Sequence, residues 1–171
     1  LYGGELPKKP YKMIAYMGKV QHEIMYPGSV GEIFVSDRIK REMEKFNLSG
    51  WGSFPVRLFN YDKTEIKGFH GLSILGSHVD VDFTRCIVKE EFATEYSKMS
   101  RTYYGYFFNR DQWDGSDFFR SNKHLLITKR VRDAFREIGV TNLEIISVLE
   151  ETRSGILIDF DREWKNKKGK K

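Results

Sequence analysis

Cysteine is almost absent from this sequence: Cys86 stands alone, and a lone thiol excludes an internal disulfide. A chain of 171 residues does not need one. At this length a fold buries about 70% of the surface that its unfolded form exposes, enough for an apolar core without a staple. A reducing, cytoplasmic setting is therefore expected. The sequence also lacks any run near the roughly 18 apolar residues of a membrane helix, and it opens with no charged-then-apolar secretion signal. It begins at Leu1 rather than Met, consistent with native residues ahead of it. Neither phosphate-cradling glycine loop occurs, nor the G-x-S-x-G nucleophile elbow, so the commonest nucleotide-binding and hydrolase signatures are missing. Cys86 has no partner nearby in sequence and reads as a buried structural thiol.

What is present favours a packed fold. Apolar residues make up 40% and aromatics 15%, well above a disordered composition. The net charge of +5 invites a nucleic-acid reading, but its placement argues against one. Lys165, Lys167, Lys168, Lys170 and Lys171 close the chain, and without them 24 basic residues balance 24 acidic ones. A nucleic-acid domain carries its excess on a folded face. Residues 165–171 are instead expected to be a disordered basic tail behind a single domain spanning 1–164, dispensable for folding because they bring no apolar side chain.

Along the chain, Gly3, Gly4, Pro7 and Pro10 mark an irregular arm, and Tyr11 to Met17 reads as a strand. Pro27-Gly28-Ser29 with Gly31 marks a loop. Ile33-Phe34-Val35 is a short buried strand, Ser36 a helix N-cap, and Ile39, Met43 and Phe46 the apolar stripe of the following helix. Asn47 suits the left-handed end of that helix. After Gly50-Trp51-Gly52 a strand runs from Phe54 to Phe59. The pattern returns at a constant offset of 92 residues. Leu125-Leu126-Ile127 is the strand, Thr128 the N-cap, Val131, Phe135 and Ile138 the stripe, Gly139 the helix end, and Ile145, Ile146 and Val148 the closing strand. Comparing 33–58 with 125–150, ten pairs are apolar in both copies, while only Arg38/Arg130 and Val56/Val148 are identical. Retained physics with lost identity predicts an old duplication over about 30–60 and 122–152. Between the copies, Gly71 to Val88 reads as strand or hairpin, Glu90 to Arg101 as a short helix, and Tyr103 to Phe108 as strand. Ile156-Leu157-Ile158 reads as a last short strand.

Two stretches are candidate sites. In His78-Val79-Asp80-Val81-Asp82-Phe83, alternation puts His78, Asp80 and Asp82 on one strand face. Imidazole with carboxylates suits a divalent metal, yet three residues in one row rarely enclose an ion. A polar face for partner contact, or for solvent alone, is the better reading, and no metal or other cofactor is expected. From Tyr103 to Trp113, Tyr103, Tyr104, Tyr106, Arg110 and Trp113 are of the types enriched at interface hot spots. A buried strand pair accounts for the tyrosines equally well. His22, His70 and His124 stand alone and read as surface or internally satisfied histidines.

Three stretches carry a family resemblance. They are Phe34-Val35-Ser36-Asp37-Arg38 with its helix and the Gly50-Trp51…Phe54-Pro55-Val56 exit, the central Val79-Asp80-Val81-Asp82-Phe83, and Gly115-Ser116-Asp117-Phe118-Phe119-Arg120 leading into Leu126-Ile127-Thr128-Lys129-Arg130. Spanning roughly 30–150, they resemble the double-repeat immunity proteins of bacterial polymorphic-toxin systems, first catalogued as a domain of unknown function. His78 and Asn142 depart from the pattern. The resemblance implies a protein without catalytic residues that binds and neutralises a cognate toxin.

The expected fold is thus α+β: two pseudo-repeated strand–helix–strand units joined by a central β-rich segment. The expected function is toxin occlusion by a non-enzymatic protein. Its rivals are a metal-dependent hydrolase or nuclease using His78, Asp80 and Asp82, and a nucleic-acid-binding accessory protein using the lysine tail. Aside from the tail the body is neutral, whereas inhibitors of strongly basic nucleases are expected to be acidic. The cognate toxin is therefore not expected to be one.

Overall fold

The computed structural model describes residues 6–7, 10–14, 22–26, 33–92, 99–121 and 124–149. Most of the arm, the 27–31 loop, the expected strand at 156–158 and the basic tail lie outside these residues. The fold is α+β. Two compact units divide the chain: a larger one from the residues up to Val79 together with Asp111–Glu144, and a smaller one from Asp80–Arg110 with the residues from Ile145 onward.

In the larger unit a mixed sheet contains β1 (Tyr11–Ile14), β2 (Ile24–Met25), β3 (Ile33–Ser36), β4 (Trp51–Phe59), β5 (Glu65–Ile66) and β6 (Phe69–Ile74). Its order is β1-β4-β6-β3-β2, with β5 also beside β4. β4 changes neighbours at Pro55. Its antiparallel pairing with β6 ends there, and its parallel pairing with β1 begins at Val56. A residue without a backbone N–H thus sits where the ladder switches partner. Gly71 in β6 makes room for the Phe54 ring, since a Cβ there would come within 2.1 Å of it.

Helix α1 (Asp37–Lys45) starts as expected: the Ser36 hydroxyl accepts the Ile39 N–H at 3.2 Å. It ends at Asn47 in the left-handed conformation, φ +49°. Helix α2 (Lys129–Ile138) ends at Gly139, φ +80°. Ile39, Met43, Val131 and Phe135 are buried, whereas Phe46 and Ile138, at the last turns, are only partly buried against the same core. Ahead of α2, strands β9 (Phe118–Ser121) and β10 (His124–Ile127) form an antiparallel hairpin.

The two helices share a bonding scheme that reaches across the unit. Before α1, the Ser36 N–H donates to the Glu23 carbonyl, and Glu23 accepts a bidentate ion pair from Arg38. Before α2, the Thr128 N–H donates to the Asp117 carbonyl, and the Asp117 carboxylate accepts from Arg130 at 2.8 Å. Each acid directly precedes the first strand of its hairpin, opposite the strand leading into the helix. Each arginine then reaches the far end of the other helix: Arg38 donates to the Ile138 carbonyl at 3.1 Å, and Arg130 to those of Phe46 and Asn47. The helices therefore run antiparallel, each capped at its C-terminus by a cation from its neighbour.

What the two stretches share is an antiparallel strand pair followed by a helix. The strand–helix–strand expectation fails at its last step, because Ile145 to Val148 form no strand. Gly50, with φ +81°, turns the chain after α1 into β4. Its counterpart Asn142 instead donates its side-chain amide to the Ile24 carbonyl. Gly50 and Gly139 make a clean comparison. Both have φ near +80°, but a Cβ at Gly139 meets nothing within 4 Å, whereas one at Gly50 would lie 2.2 Å from the Phe118 carbonyl oxygen. Gly139→Ala should cost about 1–2 kcal/mol from the left-handed backbone alone. Gly50→Ala should cost clearly more, and urea titration of both variants measures the gap.

The smaller unit pairs β7 (Ile87–Phe92) with β8 (Met99–Tyr104), antiparallel. This overturns the helix expected at 90–101, apart from 93–98, which lie outside the described residues. Val81, Cys86 and Tyr106 form its core, with Tyr103, Phe107, Phe108 and Val148 packed around them. β8 stops short of the expected Phe108 because Gly105 turns the chain at φ +69°. The Val148 carbonyl, expected in a closing strand, accepts the Tyr106 N–H at 2.7 Å.

Candidate partner surface

The 78–83 segment is not a continuous strand. Only His78, bridged to Arg120, and Val81, bridged to Phe108, show β pairing. Alternation still sorts the side chains in part: Val79 and Val81 are buried, His78 and Asp80 exposed, Asp82 half-buried. Phe83, expected inward, is exposed and meets Tyr103 edge-on at 4.9 Å. The Asp82 carboxylate is engaged locally, accepting the Thr84 N–H at 3.1 Å and the Thr84 hydroxyl. His78 belongs to the larger unit and Asp80 and Asp82 to the smaller. Among the described residues no group of three or more His, Cys, Asp and Glu is placed to hold a metal ion.

The tyrosines divide. Tyr104 and Tyr106 are each 5% exposed and support the smaller unit, while Tyr103 is half-buried. Cys86 is also buried, and desolvation pushes its thiol up, favouring the protonated, unreactive form. Arg110 is exposed in a short 3-10 turn, Arg110–Gln112.

Trp113 is an exposed aromatic of the larger unit that is held in place by its neighbours. It is 41% exposed, yet its indole N–H donates to the Ser116 carbonyl at 3.0 Å and its ring lies 5.8 Å from that of Phe119. The turn beneath it is fixed by Asp114. The carboxylate accepts the N–H groups of Ser77 and Ser116, each at 3.0 Å, and the Ser116 hydroxyl. The Asp114 N–H in turn donates to the Ser77 hydroxyl at 3.2 Å. Burial raises the Asp114 pKa, but these bonds outweigh it and hold the group below the usual range. Gly115 completes the turn at φ +83°. The Asp114-Gly115 pair is the turn signal a sequence offers, but its anchor, Ser77, is 37 residues away in the chain.

Behind the turn, Asp117 is 5% exposed. Its carboxylate accepts the Ser49 N–H at 2.9 Å, the Ser49 hydroxyl at 3.1 Å and the Thr128 hydroxyl at 2.9 Å, besides Arg130. Thr128 spends its hydroxyl there and makes no side-chain cap to α2. The isolated His70 of the sequence is satisfied by Asp37, 2.6 Å away. An open hollow of about 460 Å³ against α2 is lined by Phe46, Lys129, Arg130, Asp133, Ala134 and Glu137. Of its charged lining, Lys129 pairs with Asp133 and Arg130 with Asp117.

No protein-family model matches the chain, and no curated protein matches it in sequence.

Proposed function

We propose that this protein binds a cognate bacterial toxin in the cytoplasm and neutralises it by occlusion, with no catalysis of its own. The observation that carries the reading is the exposed indole of Trp113 on a turn already fixed by hydrogen bonds. Most of the cost of ordering an interface side chain on binding is then absent, and a rigid tryptophan is the residue type that dominates protein–protein affinity. The residues behind the family resemblance support it as well. Ser36, Arg38, Gly50, Asp117, Thr128 and Arg130 are engaged in capping and bracing the hairpins and helices. They build a scaffold, as the motifs of a binding protein do.

The test is co-expression with the toxin domain encoded beside this gene. Growth should be restored against that toxin and not against unrelated ones. Trp113→Ala should weaken the purified complex by about 2–4 kcal/mol, about 30- to 1000-fold in Kd, while melting near the parent. If no neighbouring toxin is bound or neutralised, the reading fails. If binding persists unchanged in the Trp113 variant, the partner engages another surface.

A further inference from the structure

We infer that the outer face of β1, β4 and β5 in the larger unit is a second docking surface, shaped for an acidic protein segment. The register places Lys12 directly opposite Arg57, and Ile14 opposite Phe59. On the other side of β4, Phe59 faces Glu65. Lys12, Ile14, Arg57, Glu65 and Lys67 are all exposed, with Ile14 at 39%. Like charges directly opposite each other weaken a strand pair, so the Lys12–Arg57 pair is retained at a cost to the sheet.

These cations converge on one aromatic ring. The Lys12 ammonium lies 5.2 Å and the Arg57 guanidinium 5.1 Å from the centre of Phe59. Arg57 also bonds the Glu65 carboxylate at 2.9 Å. That bond chiefly, with the charges of Arg57 and Lys67, holds Glu65 below its ordinary pKa. Glu65 thus answers Arg57, with the charge of Lys67 also felt there, while Lys12 stands over Phe59 beside the exposed Ile14, so the named residues of this face carry three cations against one carboxylate. Incoming carboxylates complete this arrangement, while an aliphatic contact covers Ile14. Arginine and an aromatic are types enriched at protein-binding patches, and the lysines add the charge to which an acidic segment is complementary. A single-stranded nucleic acid needs open aromatic faces on which to stack, and Phe59 is already occupied by cations. The surface is separate from Trp113, and the inference does not depend on the partner being a toxin.

The test uses the full chain and a fluorescein-labelled poly-glutamate peptide, followed by anisotropy at low salt. Lys12→Glu with Lys67→Glu should weaken binding at least about tenfold. Arg41→Glu with Arg136→Glu, exposed on α1 and α2, changes net charge equally and should have little effect. Equal losses in both variants would reduce the effect to overall charge, and no binding by the parent would leave no site to assign; either result overturns the proposal. Tighter binding of a thymidine oligonucleotide, lost in the Lys12/Lys67 variant, would assign the face to nucleic acid instead. A parent dimer made monomeric by the same substitutions would assign it to a second copy of the chain.

Discussion

Phe118→Ala is expected to lower the unfolding free energy by about 3–5 kcal/mol, the usual cost of truncating a buried phenylalanine. The side chain is 1% exposed and heads the fully buried residues by size. It shares the principal core with Ile39, Met43, Ile74 and Val131, and its ring centre lies 6.2 Å from that of Phe135. The site has little freedom to collapse around the lost ring. The Phe118 carbonyl is pressed against Gly50 and Gly76, where a Cβ would come within 2.2 and 2.0 Å of its oxygen. Its N–H is fixed to the Ser49 carbonyl at 3.0 Å. Phe135→Ala should fall in the same range, whereas the half-buried Phe46 should cost clearly less on truncation. Urea unfolding of the three variants checks the ranking. A Phe118 variant within about 1 kcal/mol of the parent would mean that neighbouring side chains refill the space.

The features legible in the sequence are those decided within a few residues. The Ser36 cap, the turns at Asn47 and Gly139 and the buried stripe Ile39, Met43, Val131 and Phe135 all follow from local period and end chemistry. Phe46 and Ile138 satisfy the same period but sit where each helix runs past the core, which periodicity does not register. The helix expected at 90–101 rested on the spacing of Phe92, Tyr96 and Met99. A short segment supports that spacing by chance, and the pairing of Ile87 with Tyr104 across the hairpin is what decides the structure.

The bonds joining distant segments were not legible. Arg130 meets Asp117 and the end of α1, and Arg38 meets Glu23 and the end of α2, up to 100 residues away in the chain. The sequence did hold a trace of this scheme, because Arg38 and Arg130 are one of two identical pairs at the offset of 92. The reciprocal capping gives that identity a physical reason in the fold. The other identity, Val56 and Val148, has no such counterpart: Val56 lies in β4, and Val148 packs in the smaller unit. Of the candidate surface, the aromatic and arginine content was visible. Which rings face inward was not, since Tyr104 is placed by its pairing with Ile87 across the hairpin, Tyr106 by packing in the smaller unit, and Trp113 by the Asp114 turn.

Asp117→Ala should cost about 1–3 kcal/mol, the range for removing one partner from hydrogen bonds that are at least partly buried. The carboxylate satisfies the Ser49 N–H and hydroxyl, the Thr128 hydroxyl and Arg130. Its loss removes the shared acceptor of three part-buried hydrogen bonds from Ser49 and Thr128 beside the N-terminus of α2 and releases the cation that caps α1. Arg130 is about half exposed, so water takes up part of its charge and keeps the effect toward the lower end. Burial raises the Asp117 pKa, but the Ser49 and Thr128 hydrogen bonds and the Arg130 charge together leave it lowered. An unfolded aspartate titrates near pH 3.9. A depressed folded pKa means that the stabilisation is fully present above that value and is lost as pH falls through it toward the folded pKa. Asp117→Asn should therefore lie well below the parent at pH 7, and the gap should narrow at about pH 3. Other carboxylates lowered in the folded state, such as Glu23 and Asp114, titrate in both proteins and cancel in the difference. A gap that stays constant from pH 7 down to about pH 3 would show that the charge of Asp117 contributes nothing, leaving its shape and hydrogen bonds as the source of the loss.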